Sequence, residues 1–344
     1  MKRAGFVELA AAAGVSLATV DRALNGRQNV RRETVDHIAT VARRIGHPAA
    51  LRFGGVVAVR PQVRFGVALH KQGQDFYRAF AGALHAGVVA EPAVQGQLVL
   101  EFSTSQAPSE MARLMRQMAG RCDVLAATAV DHPEVTAAVA DLCAGGMAVY
   151  ALLSDFAPGV RTGYLGLDNV KVGRVAGWMM ARAAPAAGKL AVFVGGHRWA
   201  GHDQRDRGFR DYLRASAPGL EVLETQVNLE TRALTYETTL ALLRAHPTLR
   251  GIYVAGGGME GAIAALRAAR TQGQGQGAVQ LIVSALTPDS RRGLAEGLVT
   301  LTIDTPLPDL CRAMFATMAR AALSPPGRGE NLFLPPVLTL PEML

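Results

Sequence analysis

The chemistry open to this chain begins with its cations. Residues 1–60 hold ten Lys and Arg, Arg22 and Arg31 among them, against four acids, while the whole chain of 344 residues is only +8. The basic excess is therefore gathered at one end, the footprint expected of a compact domain that contacts phosphates. A solvated basic face is the weaker alternative. The element that would carry these charges reads VELAAAAGVSLATVDRALN from Val7 to Asn25. Val7, Ala10, Ala11 and Val15 are expected on one helical face, with Gly14 as a left-handed C-cap. Ser16 then N-caps a second helix that turns Val20, Ala23 and Leu24 inward and offers Leu17, Ala18 and Arg22 outward. Two helices joined by a short glycine turn form either an ordinary αα-hairpin or a helix-turn-helix unit whose second helix enters the DNA major groove. The charge favours the second reading.

Catalytic residue types are thin elsewhere. Gly256, Gly258 and Gly261 spell GxGxxG between an expected strand and helix, a setting in which glycines admit a dinucleotide pyrophosphate. That fingerprint also needs an acid about 20 positions on, at the end of the next strand. The strand LIVSAL ends without one. Cys122, Cys143 and Cys311 show no CxxC spacing and read as small core residues. His197 and His202 stand too far apart for an i, i+4 metal pair, and no GxSxG occurs. Binding is expected rather than catalysis, with no cofactor and no metal. An NAD(P)-dependent oxidoreductase built on the Gly256–Gly261 loop remains the alternative.

The elements that must position any site follow an α/β pattern. Short apolar runs at Arg64–Leu69, Gln97–Phe102, Asp123–Thr128, Met147–Leu152, Thr162–Leu167, Lys189–Val194, Glu221–Val227, Gly251–Ala255, Leu281–Ser284 and Val299–Ile303 predict strands. Helices starting near Phe76, Ser109, Pro133, Val170, Asp203, Thr231, Glu260, Pro288 and Pro308 separate most of them, as parallel sheets require. This length exceeds one usual core and predicts two lobes. Gly273 to Gly277 read as a surface turn. A free periplasmic binding protein would open on a longer apolar stretch and a cleavage site than MKRAGFVELAAAAGVSLATV offers. No run reaches the ~18 apolar residues of a membrane span, so a cytoplasmic protein is expected, which suits its unpaired thiols.

Residues 5 to 47, with AGVSLATVDRALNG followed by Val30, Thr34, Val35, Ile38, Val41, Ala42 and Ile45, resemble the headpiece of the LacI family of bacterial transcriptional regulators. The resemblance implies that Leu17 and Ala18 open the recognition helix at the bases, that Arg22 reads or clamps the groove, and that Asn29 reaches DNA from the next loop. It places Ser16, Thr19, Asn25, Arg31 and Thr34 beside them or near the phosphate backbone. Asp21 departs from the usual serine and is expected to pair with Arg22 or Arg27. In the following HPAALRFGGVVAVRPQ, Gly54 and Gly55 stand where the family's hinge helix carries a minor-groove leucine. Each glycine opposes a helix by about 1 kcal/mol relative to alanine, leaving Leu51 or Phe53 as substitutes, or no intercalation.

Residues 64 to 340 are similar to a type I periplasmic sugar-binding protein, through FGVALHKQGQDFY, TAVDHPEV, GHDQRDRGF, IYVAGGGMEGA and LTIDTP. The implied organisation is a small all-α headpiece (1–47), a linker (48–62) and a two-lobed doubly wound α/β domain (63–344). Lobe 1 would take roughly 63–167 plus 305–324 and lobe 2 roughly 168–304 plus 326–344, with crossings near Asp168, Asp304 and Pro325. By position, Phe76, Asp131, His132, Arg205, Asp304 and Thr305 would hold the effector. Gly256 to Gly258 replace the usual Asn and Asp, and Thr305 a frequent glutamine; His70, Trp199 or Asp155 would repopulate the pocket. The resemblance thus implies a homodimeric regulator, commonly a repressor, whose operator DNA affinity answers to a sugar or polyol.

Overall fold

Helices of two or three turns are marginal alone in water, and the first part of the chain packs three of them around one small core. In the computed structural model, residues 5–25, 30–51, 60–272, 279–324, 327 and 329–344 are described. The chain divides at Arg60 into two units. In the first, α1 (Phe6–Ala12), α2 (Leu17–Leu24) and α3 (Arg32–Arg44) bury Leu9, Val20, Ile38 and Ala42 completely. Gly14 takes the expected left-handed φ of 63°, and the Ser16 hydroxyl accepts from the Thr19 N–H at 3.1 Å, capping α2. The buried stripe of α1 differs from the expected one. Val7 is 69% exposed and Ala11 exposed, whereas Leu9, Ala10 and Ala13 face inward. A two-turn helix has one narrow inner face, and Leu9 with Ala13 one turn on buries more apolar surface there than Val7 with Ala11.

The second unit holds two sheets. The first has the order β12-β5-β4-β3-β1-β2, all parallel, from β1 (Gln62–Leu69), β2 (Gln95–Phe102), β3 (Val124–Ala127), β4 (Ala148–Leu152), β5 (Gly163–Leu167) and β12 (Leu332–Leu334). Alternation along the strands fills both faces. Phe65, Val67 and Leu69 meet α4 (Asp75–Ala90) and α12 (Leu307–Ala322) on one face; Ala68, Leu125 and Ala127 meet α5 (Pro108–Met118) and α6 (Pro133–Ala144) on the other.

The second sheet runs β13-β11-β10-β9-β6-β7, with β8 beside β6. Its strands are β6 (Gly188–Val194), β7 (Leu220–Val222), β8 (Gln226–Val227), β9 (Leu249–Val254), β10 (Gln280–Val283), β11 (Leu301–Asp304) and the antiparallel β13 (Val337–Thr339). One face is covered by α7 (Asn169–Ala183) and α8 (Ala200–Ser216), the other by α9 (Arg232–Ala245), α10 (Met259–Thr271) and α11 (Pro288–Ala295). The expected strand Glu221–Val227 is thus broken into β7 and β8, and β12 and β13 are additions. Both additions are three residues long, too short for a readable period.

The chain passes between the sheets after β5, after β11, and at Pro335–Pro336 between β12 and β13. The third passage corrects the one expected near Pro325, because Leu332–Leu334 still pair with β5 of the first sheet. Pro325 itself, Asn29, Arg27, Phe53, Gly54, Gly55 and Gly273 to Gly277 lie outside the described residues.

Where α7 and α8 cross, glycine is required by contact. A Cβ on Gly173 would lie 2.0 Å from the Arg205 carbonyl oxygen, and one on Gly208 would lie 2.2 Å from that of Val170. The two backbones touch, and the touch fixes the level of Arg205 on α8. Gly173→Ala should therefore destabilise by about 1–3 kcal/mol through overpacking. Gly82→Ala, in a helix with open space around it, should stabilise by about 0.5–1 kcal/mol. Urea unfolding of both variants checks the pair, and equal effects would remove the contact argument.

Candidate functional site

Open α/β sheets present their loops at the carboxyl ends of the strands, and here the loops of both sheets converge on one cleft. The loops after β1, β3 and β4 face those after β6, β8, β9, β10 and β11 across a cavity of about 90 Å³. An ion pair spans it: the Lys71 ammonium, just beyond β1, meets Glu230, just beyond β8. Both residues are left-handed, with φ of 56° for Lys71 and 54° for Glu230, and Leu229 beside it has 50°. Such conformations cost of order 1–3 kcal/mol each and persist only where surroundings enforce them. Asn228 enforces Glu230: its Oδ1 accepts from the Glu230 N–H at 2.8 Å while its amide donates to Thr235 Oγ1 and to the Gly257 carbonyl. Glu230 Oε1 in turn accepts from the Gly257 N–H at 2.9 Å. Bonds to backbone carbonyls stitch the same gap, the Gln74 side-chain Nε2 donating to that of Glu230 and the Asp131 N–H to that of Arg198.

Aromatic rings pack against this pair. Trp199 lies 4.8 Å from His70, centroid to centroid, and Lys71 Nζ stands 5.6 Å from the Trp199 ring. His70 is wedged between the Tyr77 hydroxyl at 2.7 Å and Thr128 Oγ1 at 2.9 Å. Burial, reinforced by the Lys71 charge, pulls its pKa down to about 3. His202 is pulled well below its ordinary value by burial and then by Arg205. Burial also draws the Lys71 ammonium down to about 7; the Glu230 carboxylate against it favours the charged form.

Of the six residues expected from the resemblance, Phe76, Arg205 and Thr305 line the cavity. Phe76 packs with the hydrophobic clusters of both sheets. Arg205 donates from Nε to Asn169 Oδ1 at 2.7 Å and from Nη1 to the Ala255 carbonyl at 2.9 Å. Asp131, His132 and Asp304 are not in the wall, because local backbone claims them. Asp131 Oδ1 accepts from the Ala157 N–H, His132 Nδ1 from the Glu134 N–H at the start of α6, and Asp304 Oδ1 from the Thr305 N–H. Burial raises the Asp304 pKa. Of the substitutes, His70 and Trp199 line the cavity, while Asp155 pairs with Arg161. Glu230 escaped the sequence reading, and His202 entered it only as half of a metal pair; an acid in an NLET turn carries no spacing signal.

In the first unit, Ala18 and Arg22 are exposed and Leu17 is 49% exposed on α2. Ser16 and Thr19 bond to each other at 2.8 Å. Asp21 accepts from the Asn25 amide at 2.9 Å instead of pairing with Arg22. Arg31 is exposed at the N-cap of α3, with Thr34 half-buried in its first turn.

Residues 65–325, well over half of the chain, match the family described as periplasmic binding protein domain. Residues 7–48 match bacterial regulatory proteins, lacI family. The chain belongs to the LacI family. No curated protein sequence matches it. Among solved structures, a periplasmic solute-binding protein from Actinobacillus succinogenes 130z with bound D-allose is similar to it at 18% identity and TM-score 0.72, over 82% of this chain and 98% of that one. A solute-binding protein from Burkholderia graminis with D-arabinose reaches 20% and 0.73, over 82% and 96%. One from Bacillus halodurans C-125 with myo-inositol reaches 17% and 0.71, over 83% and 97%. Likeness at these identities establishes the two-lobed fold.

In this LacI-family chain the glycine string has local work. Gly258, at φ 85°, caps α10; a Cβ on Gly261 would lie 2.2 Å from the Arg232 carbonyl; and the Gly257 amide already faces Glu230. An in-chain carboxylate thus holds an amide of the loop that a pyrophosphate would need. Among the described residues, no cluster of three His, Cys, Asp or Glu could hold a metal, and no helix is long and apolar enough to cross a membrane. Cys122 and Cys311 are buried, and burial raises the pKa of both thiols.

The buried histidines give the family member a pH dependence. In the unfolded chain each takes a proton near 6.5, but His70 stays neutral in the fold down to about 3. Their depressed values hold stability above 6.5 and lose it progressively as pH falls below that. Wild-type stability should therefore drop more between pH 7.5 and 5 than that of His70→Asn, as urea midpoints would record. An identical drop would mean His70 is not buried neutral.

Proposed function

We propose that this protein is a DNA-binding transcription regulator, most simply a repressor, whose operator affinity is set by a small sugar or polyol in the cleft between its lobes. The observation that carries the reading is the pairing, in one chain, of an exposed helix-turn-helix face with a closed cleft that joins Arg205 to an aromatic wall. Rings cover the C–H faces of a polyhydroxylated ligand, and a guanidinium serves adjacent hydroxyls. D-allose, D-arabinose and myo-inositol in the similar structures belong to that class. The protein acts without catalysing a reaction, in the cytoplasm with its DNA, and as a homodimer whose two headpieces read a near-palindromic operator.

Regulation follows from the cavity's size. About 90 Å³ is well below the roughly 300–1,000 Å³ of common ligand sites, so a sugar enters only when the lobes part and the Lys71–Glu230 pair yields. A ligand that binds the parted and closed arrangements unequally shifts their balance, by about 1–3 kcal/mol in typical allosteric coupling.

Selection of an operator from random duplexes, followed by titration, tests the first half. Arg22→Ala should cost about 1–3 kcal/mol and relax sequence preference, whereas Arg31→Ala should weaken all sequences alike and flatten the salt dependence. Wild-type binding by both variants would defeat the recognition-helix assignment. Thermal melting against sugars, polyols and nicotinamide cofactors tests the second half, since saturation at 100 times Kd stabilises by about 2.7 kcal/mol. A shift with NAD or NADP alone would overturn the sugar-sensing reading of the large domain in favour of the oxidoreductase alternative.

A further inference from the structure

The two members of the Lys71–Glu230 pair are anchored unequally. Glu230 is fixed from three sides: Asn228 holds its left-handed backbone, the Gly257 N–H donates to Oε1, and His202 Nε2 stands 3.6 Å from the same oxygen. Glycines clear a seat for its side chain. A Cβ on Gly195 would lie 2.5 Å from Glu230 Cγ, and one on Gly256 would lie 3.1 Å from Oε1. Lys71 has no such setting. Its ammonium is buried and carries three protons, yet among the described residues its polar partner is Glu230 Oε2 alone, with the Trp199 ring 5.6 Å away. Water serves all three protons once the lobes part, so Lys71 is the member that leaves and Glu230 the member that stays.

What Lys71 vacates is a hydrogen-bond acceptor. Glu230 lines the cavity together with Arg205, one charge of each sign, and Arg205 Nη2 makes no hydrogen bond among the described residues. A hydroxyl donates to a carboxylate as an ammonium does, carries no charge, and still accepts from a guanidinium. Resting on the reading of the cleft as an effector site, we infer that Lys71 is a tethered stand-in for the effector: its ammonium occupies Glu230 in the empty cleft, and a neutral sugar or polyol binds by displacing it and donating a hydroxyl to Glu230 Oε2. Glu230 is thus a recognition residue and Lys71 its internal competitor. The empty cleft closes on its own side chain, and the apparent affinity for effector is reduced by the fraction of molecules in which Glu230 is free.

The test is calorimetric titration of the full-length protein with D-allose, D-arabinose, myo-inositol and D-glucitol. Wild type is compared with Lys71→Met and with the double variant Lys71→Met/Glu230→Gln, which leaves no charge of the pair stranded. Lys71→Met should bind about tenfold more tightly than wild type, the gain expected where a competitor holds roughly nine sites in ten. The double variant should bind about 10- to 100-fold more weakly than Lys71→Met, the range of a hydrogen bond to a charged group. Weaker binding by Lys71→Met than by wild type would make Lys71 a ligand contact and overturn the inference. A double variant equal to Lys71→Met would overturn it by removing Glu230 from recognition; either result leaves sugar sensing intact. In a Trp178→Phe background Trp199 is the one tryptophan left, and acrylamide should quench it more strongly in ligand-free Lys71→Met than when Lys71 is present. Equal quenching would overturn the inference, since the pair would not be holding the empty cleft shut. Binding of no sugar or polyol by either wild type or Lys71→Met would overturn the sensing reading and the inference together.

Discussion

The reach of Glu230 across the cleft is the interaction on which the present arrangement of the lobes depends. One carboxylate joins a cation of the first lobe to a backbone amide of the second lobe's glycine loop. Buried ion pairs are weak sources of net stability because desolvation offsets the Coulomb gain, but removing one partner leaves a charge stranded. Such a pair suits a switch: it gives a definite closed geometry at small net advantage. The left-handed backbone on both sides adds local strain to the same place.

A second constraint is steric. Arg205 and Asn169 face the cavity from two helices whose backbones meet at Gly173 and Gly208. That contact leaves no room for sliding, so the guanidinium is aimed by main-chain packing as much as by its hydrogen bonds. Preorganisation of this kind reduces what a ligand must spend on ordering the site. The headpiece is built differently. Its core is small, and its outer face leaves Leu17, Ala18 and Arg22 exposed.

Much of the fold was legible. Nine strands, nine helices and the helix-turn-helix with its Ser16 cap could be read because each rests on period, capping chemistry or glycine conformation within a few residues. Errors came where local signals compete or fade: Val7 versus Leu9 in a two-turn helix, and two three-residue strands flanking Pro335–Pro336.

The sequence by itself determined the basic headpiece and the alternation that buries both faces of each sheet, and it put Arg205 where the cavity wall runs. Tertiary structure alone decided the cleft's membership. Asp131, His132 and Asp304 turned out to serve nearby N–H groups, while Glu230, unremarked in the chain, and His202, weighed there only as half of a metal pair, became its wall. The reason is geometric. A carboxylate's role depends on which donors lie within about 3 Å of it, and Lys71 meets Glu230 only once the two lobes are folded and closed.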